Sequence, residues 1–382
     1  MIAKAGKDAP GAFGCLPTAR QQQLLRAAAA PLEIARPAWQ KWRAGADLDA
    51  VDSASRRLLL WIFHRREELG LSPADAAALE PNYRSVWLRN QVLLNRATEV
   101  VRALQAAGIE CLLLKGLPVL LEAYRDEGGR YLEDFDVLVR PDDVLRAMPV
   151  LDALGWKSPA PESVSVEKLR AHHFTNIDGF DCDLHWRLLW PPYPEVDETP
   201  LWQAKRPIQL RGESTLTLSV EHLLLHLCVH GMSWHPVHPI RWLLDVNLLL
   251  RRHAPEWERL VEEAHRRGVT LALTEALAAY ETVFPGEIPA AVREQLARIP
   301  ATAEQRRTYA QVARGPSVSA IMSNVLVEWK RAKLKGTAGS GASGLVAFLC
   351  HRWHAQTLWQ LPGRVVQRLR PCFKAGYRFF GR

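Results

Sequence analysis

The 382-residue chain has six cysteines, Cys15, Cys111, Cys182, Cys228, Cys350 and Cys372, with no CxxC pair and no regular spacing. That pattern argues against a zinc ribbon or a disulfide-stapled scaffold and favours a reduced, cytoplasmic setting. Long hydrophobic runs are also missing. Lys115 and Asp245 interrupt the best candidates, so no run approaches the ~18 apolar residues of a membrane span. No continuous apolar signal region opens the chain, and the expectation is a soluble protein, at most peripheral to a membrane. There is no internal repeat, and no collagen-like or disordered bias.

What is present is the composition of a globular protein, 48% hydrophobic and 24% charged. The length suits two or three domains, or one core with helical additions. A formal charge of +8 favours anionic partners such as nucleotides, RNA or acidic lipid headgroups, although both signs are interspersed along the chain.

Helical spacing of Leu, Val, Ile and Trp dominates up to about Gly108, over Gln21–Ala30, Asp49–Leu69 and Asn82–Ala107, with a shorter helical turn at Asp75–Leu79. The pattern then changes. Cys111–Leu114 reads as a buried strand ending in Lys115-Gly116, and a helix over Leu117–Tyr124 follows. Asp134–Val139 reads as a second strand. Pro141, Asp142 and Asp143 open another helix, where acids complement the dipole. His172–Ile177 and Phe180–Arg187 read as a hairpin about Asp178-Gly179. After a short extended piece near Ile208–Leu218, helices resume at Val220–Met232, Ile240–Arg252, Glu256–Arg267 and Leu271–Val283. Gly336–Ser343 resembles a linker.

The chemistry concentrates in Asp134-Phe135-Asp136-Val137-Leu138-Val139. Residues two apart on a strand share a face, so Asp134 and Asp136 project side by side. Ionised carboxylates repel and are costly to bury unless paired or bound to a cation. A hard divalent ion, most naturally Mg²⁺ with substrate phosphates as co-ligands, accounts for such a pair. Asp181 and Asp183 form a similar pair on the Phe180–Arg187 strand. Lys115-Gly116 stands at a helix entry, where backbone N–H groups favour phosphate, glycine permits close approach and lysine adds a point charge.

Together these segments resemble the uncharacterised nucleotidyltransferases of the DNA polymerase β-like superfamily. The resemblance rests on the Lys115-Gly116 turn, Arg130 upstream of the Asp134–Val139 strand, and Asp183-Leu184-His185-Trp186. Two later stretches agree with it, Leu224–His230 and Arg241-Trp242-Leu243-Leu244-Asp245. It spans roughly Ala107–Leu250. It implies an α+β fold with a small mixed β-sheet nucleotidyltransferase core at 108–218. An N-terminal helical region (1–107) would precede it, followed by a C-terminal helical domain (219–335) and a linker with a basic aromatic tail (336–382).

The resemblance also implies Mg²⁺-dependent transfer of a nucleoside monophosphate from an NTP co-substrate. Asp134, Asp136 and Asp183 would be the catalytic acids and metal ligands. Lys115 and Gly116 would meet phosphate, and Arg130 would face the triphosphate or order the loop. The usual Gly-Ser turn is replaced by Lys115-Gly116-Leu117, without its hydroxyl, and Glu133 stands where small residues are usual.

Other residues admit plainer readings. Asp181 competes with Asp183 as third acid. His185 reads as a structural or pocket residue. His222, His226 and His230 share one helix face as core or pocket histidines. His230, Arg241 and Asp245 fit either an acceptor pocket or a structural Arg–Asp pair. The tail, with Arg364, Arg368, Arg370, Lys374, Arg378 and Arg382, suits packing on the body, a peripheral membrane contact or RNA. A small-molecule or natural-product acceptor is favoured, with tRNA or a protein side chain as the alternative. A non-catalytic nucleotide- or partner-binding protein is the reading from another class.

Overall fold

The strand runs found in the sequence assemble into one six-stranded mixed sheet in the order β3-β4-β2-β1-β6-β5. Its strands are β1 (Cys111–Leu114), β2 (Asp134–Val139), β3 (Ala171–Thr175), β4 (Asp181–His185), β5 (Arg206–Leu210) and β6 (Glu213–Thr217). β1 and β2 run antiparallel, whereas β2 pairs with β4, and β1 with β6, in parallel. The computed structural model describes residues 16–158, 166, 169–190, 193–233, 240–314, 329, 339 and 341–352. The chain divides into two units, Met1–Ala313 and Arg314–Arg382. In the second, a helix covers Gly341–Arg352, and the basic tail from Arg364 onward lies outside the described residues.

In the first unit the N-terminal helices are punctuated by their caps. Helix α1 (Ala19–Ala29) opens on a capping box in which Thr18 and Gln21 satisfy each other's backbone N–H groups. α2 (Leu32–Ala44) follows. α3 (Ser53–His64) is capped by Asp52, and α4 (Arg66–Leu69) stops at Gly70 with φ 67°. α5 then runs unbroken from Pro73 to Ala106. This joins the two helical segments expected on either side of Pro81. A proline inside a helix forfeits one hydrogen bond and crowds the preceding turn, but Leu79 and Val86, flanking it, are both buried and hold the helix together.

The sheet is filled from both faces. β1 is wholly buried, as a strand covered on both sides must be: α5 packs against β1, β2 and β6, and α6 (Gly116–Val119) against β1 and β2. α6 continues into one π-helical turn, Leu120–Tyr124. The piece near Ile208–Leu218 is two strands, not one. Arg211 (φ 50°) and Gly212 (φ 83°) both take positive φ and turn β5 back onto β6, as a tight hairpin demands. α7 (Val144–Ala153) and α8 (Thr199–Gln203) link the strands. α9 (Val220–Gly231) and α10 (Arg241–Arg252) then cross closely. A Cβ on Gly231 would come within 2.2 Å of the Trp242 ring, so that crossing requires a glycine. α11 (Trp257–Arg266) and α12 (Thr270–Val283) complete the layer against α9. No helix among the described residues is long and apolar enough to cross a membrane.

Candidate active site

Strand register brings the acids together. β2 and β4 run parallel with Asp134 opposite Asp181 and Asp136 opposite Asp183, so two pairs of carboxylates whose partners are 47 positions apart in the chain share one face of the sheet. Across the other edge of β2, Asp136 pairs with Leu114, the last residue of β1. The chain leaves β1 at Lys115, which takes φ 48°, uncommon for a residue with a Cβ. The Lys115 ammonium is hydrogen-bonded to Asp136 Oδ1, and His185 Nε2 lies 2.9 Å from the same oxygen.

Asp136 is 3% exposed. Burial alone would raise its pKa, but Lys115 and then His185 outweigh that and hold the carboxyl below the usual range. Burial likewise opposes the charge on Lys115, and Asp136 and Asp134 more than restore it. Asp134 has no such partner. Burial first, then repulsion from Asp136, raises its pKa to about 7, with Lys115 acting in the opposite direction. One ligand atom each from Asp136, Asp183 and His185 lie within 4.8 Å of one another. Two carboxylates and an imidazole this close, beside a further acid whose charge is uncompensated, suit a divalent cation.

The outer acids are tied by a residue that the sequence reading left out. His173 on β3 stands opposite Asp183, with Nδ1 2.8 Å from Asp183 Oδ1 and Nε2 3.4 Å from Asp181 Oδ1. Thr175 also donates to Asp181, at 2.7 Å. The signal was available: counting outward from the turn centred on Asp178 places 173 against 183. Of the two acids, Asp183 stands beside Asp136 and belongs to the cluster, whereas Asp181 stands beside Asp134 at the strand's entrance.

Arg130 lies beneath the Lys115-Gly116 turn. Its Nε and Nη2 donate to Asp245 Oδ1 and Oδ2 at 3.0 and 2.8 Å, and Tyr124 adds a hydroxyl donor at 2.8 Å. A Cβ on Gly116 would fall 2.5 Å from Arg130 Nη1. The far end of an arginine could ordinarily move aside, but here Asp245 holds the Nε–Nη2 edge of the guanidinium with two bonds, so a side chain at position 116 would have to disturb that pair. Of the two parts expected for Arg130, this buried geometry provides for ordering the loop. Arg241 does not pair with Asp245; its Nη1 donates to the Tyr131 carbonyl at 2.8 Å. The loop between is braced from α5 as well: Asn90 donates to the carbonyls of Glu127 (2.6 Å) and Arg130 (2.7 Å), and Tyr83 donates to Asp126 (2.7 Å).

The three histidines of α9 have separate surroundings. His222 Nδ1 lies 2.8 Å from Ser219 Oγ, and its Nε2 is 3.3 Å from Glu263. His226 is fully buried without a hydrogen-bond partner, and burial, reinforced by the nearby Lys115 charge, depresses its pKa well below the ordinary value. His230 packs edge-on against Trp190, at 5.4 Å between ring centres.

A family model described as an uncharacterised nucleotidyltransferase matches residues 53–285, well over half of the chain. The chain belongs to this family. It is a nucleotidyltransferase by family. No curated protein matches the chain. Among solved structures, the crystal structure of an antigenic nucleotidyltransferase-like protein from Paracoccidioides brasiliensis aligns at 16% identity over 50% of this chain and 96% of its own, with a TM-score of 0.29. So loose a superposition carries no argument about the site.

Proposed function

We propose that this nucleotidyltransferase uses Asp134, Asp136 and Asp183 to move a nucleoside monophosphate from an NTP to a hydroxyl of a small molecule, releasing pyrophosphate. The observation that carries the reading is the parallel register that sets Asp136 beside Asp183 with Lys115 and His185 at hand. Asp134, Asp136 and Asp183 would hold Mg²⁺, which when bound neutralises triphosphate charge. Gly116, kept free of a Cβ by Arg130, opens the helix entry to phosphate oxygens. An ammonium donates three hydrogen bonds, so Lys115 can meet phosphate while bonded to Asp136.

In the reaction the acceptor oxygen bonds to the α-phosphorus while the bond from that phosphorus to the bridging oxygen breaks. The hydroxyl proton passes to Asp183, whose orientation His173 fixes, and pyrophosphate departs with the electron pair. A small-molecule acceptor is preferred because no recognisable RNA-binding module is legible in the sequence. Incubation with NTPs labelled at the α-phosphate and a cell extract tests this. Label should enter a small molecule with the wild type and not with an Asp134→Asn, Asp136→Asn double variant. Label in RNA or protein would replace the acceptor class, and equal labelling by both proteins would refute the site.

A further inference from the structure

We propose that a cavity sharing no residue with the acid centre is a binding site for a small phosphate monoester with an apolar body. The cavity holds about 310 Å³ and is lined from α1, α3, α4, the π-helical turn after α6, and α10. That volume lies at the lower end of small-molecule sites. Its floor is apolar, since Ala28, Trp61, Ala123 and Leu248 are all buried. Trp61 makes a fixed wall, stacked on His64 at 4.2 Å between ring centres and edge-on to Tyr124 at 4.9 Å. Its indole N–H is buried and, among the described residues, has no hydrogen-bond partner, which leaves an unmet donor in a lining residue.

The rim is cationic. Its charged residues are Arg65, Glu68, Arg251 and Arg252. Arg65 is committed to structure: Nη1 donates to the carbonyls of Ala27 and Ala28 at the end of α1, at 3.3 and 2.9 Å, and Nε donates to Glu68 at 2.9 Å. Glu122, beside the floor residue Ala123, is held by Arg206. Arg251 and Arg252 are exposed and, among the described residues, form no ion pair. Their place in the last turn of α10 suits the helix dipole, but that end of a helix carries only about half a negative charge, and two guanidiniums exceed it. A phosphate monoester brings about −1.5 to −2 at neutral pH and accepts paired hydrogen bonds from a guanidinium, while the apolar floor receives its body. Ala123 also belongs to the single π-helical turn whose next residue, Tyr124, donates to Asp245, and such turns recur at functional sites.

The test is calorimetric titration of the full chain with hexyl phosphate, with and without a non-hydrolysable NTP analogue. One hexyl phosphate should bind per chain, more tightly than inorganic phosphate or hexanol, and equally well when the analogue is present. An Arg251→Gln, Arg252→Gln double variant should weaken it by about tenfold or more and leave the analogue's affinity unchanged. No binding, binding that the folded double variant retains in full, or binding that the analogue displaces overturns the inference, and each leaves the nucleotidyl-transfer reading intact. Wild-type crystals soaked in hexyl phosphate decide the matter should the variant fail to fold. Phosphate at Arg251 and Arg252 with the hexyl chain against Trp61 and Leu248 supports the site, and hexyl phosphate located only elsewhere overturns it.

Discussion

Two buried ion pairs lie back to back through the Lys115-Gly116 turn, and they differ in what surrounds them. Arg130 and Asp245 form a closed joint: two parallel N–H···O bonds, a tyrosine hydroxyl on the same carboxylate, and 115 residues of chain tied at one point. Lys115 and Asp136 look similar by burial, yet there one ammonium faces Asp136, Asp134 and Asp183 together. The first pair is structural, its carboxylate held by Arg130 and further stabilised by the nearby Arg241 charge. The second leaves negative charge in excess, and its neighbour Asp134, with a pKa of about 7, shows the strain of that excess. Burial of an ion pair alone therefore does not mark a functional centre; a surplus of carboxylates on a shared face, open to a cation, does.

The comparison can be broken most sharply at Asp136. Asp136→Asn should lower NTP-dependent pyrophosphate release by about 10³-fold or more, since several kcal/mol of charge stabilisation goes with the carboxylate, while circular dichroism shows an intact fold. The closed joint should respond in the opposite sense. Arg130→Met strands Asp245 without its partner and should cost about 3–5 kcal/mol in urea unfolding, with an Arg130→Met, Asp245→Leu pair recovering much of it.

Asp134 sharpens the contrast through pH. Its native pKa of about 7 lies above the ordinary carboxylate value, so the native state holds its proton where the unfolded chain has released it. The stabilising contribution is then complete below about pH 4 and is lost as pH rises through 7. In chelator-treated buffer, Asp134→Asn should gain roughly 2–4 kcal/mol on the wild type between pH 4 and pH 8, as read from denaturant midpoints. A constant difference across that range would show that the carboxyl is not strained. The smallest effect belongs to the partly exposed His173–Asp183 contact. His173→Gln should change stability by less than about 1 kcal/mol and show itself mainly as a fall in kcat with KM retained, measured by steady-state kinetics.

Much of the centre could be read from residue order, because strand periodicity and hairpin register are local rules. Asp134 and Asp136 share a face by spacing alone, and Asp178-Gly179 marks the turn between β3 and β4. The turn itself is longer than the two residues expected, running through Asn176–Phe180 with the Asn176 side chain accepting from the Phe180 N–H at 2.9 Å. Those same rules place His173 on Asp183. The β5–β6 hairpin was hidden because its signal, Arg211-Gly212, puts positive φ on an arginine, which propensity disfavours. The continuity of α5 past Pro81 was hidden because tertiary packing overrides a local breaker. The partner of Arg130 could not be read at all. Asp245 lies on a helix far along the chain, and only the folded α9–α10 crossing brings it under the turn.

By the proposal above, Asp134, Asp136 and Asp183 form one nucleotidyl-transfer centre. Its most direct test is pyrophosphate release together with label transfer from α-labelled NTPs, with Mg²⁺ and a cell extract supplying the acceptor, by the wild type and by Asp183→Asn, the acid contributed from the neighbouring strand. The wild type should give pyrophosphate and labelled acceptor in equal amounts, and the folded variant should lose both. Undiminished transfer by Asp183→Asn would contradict it.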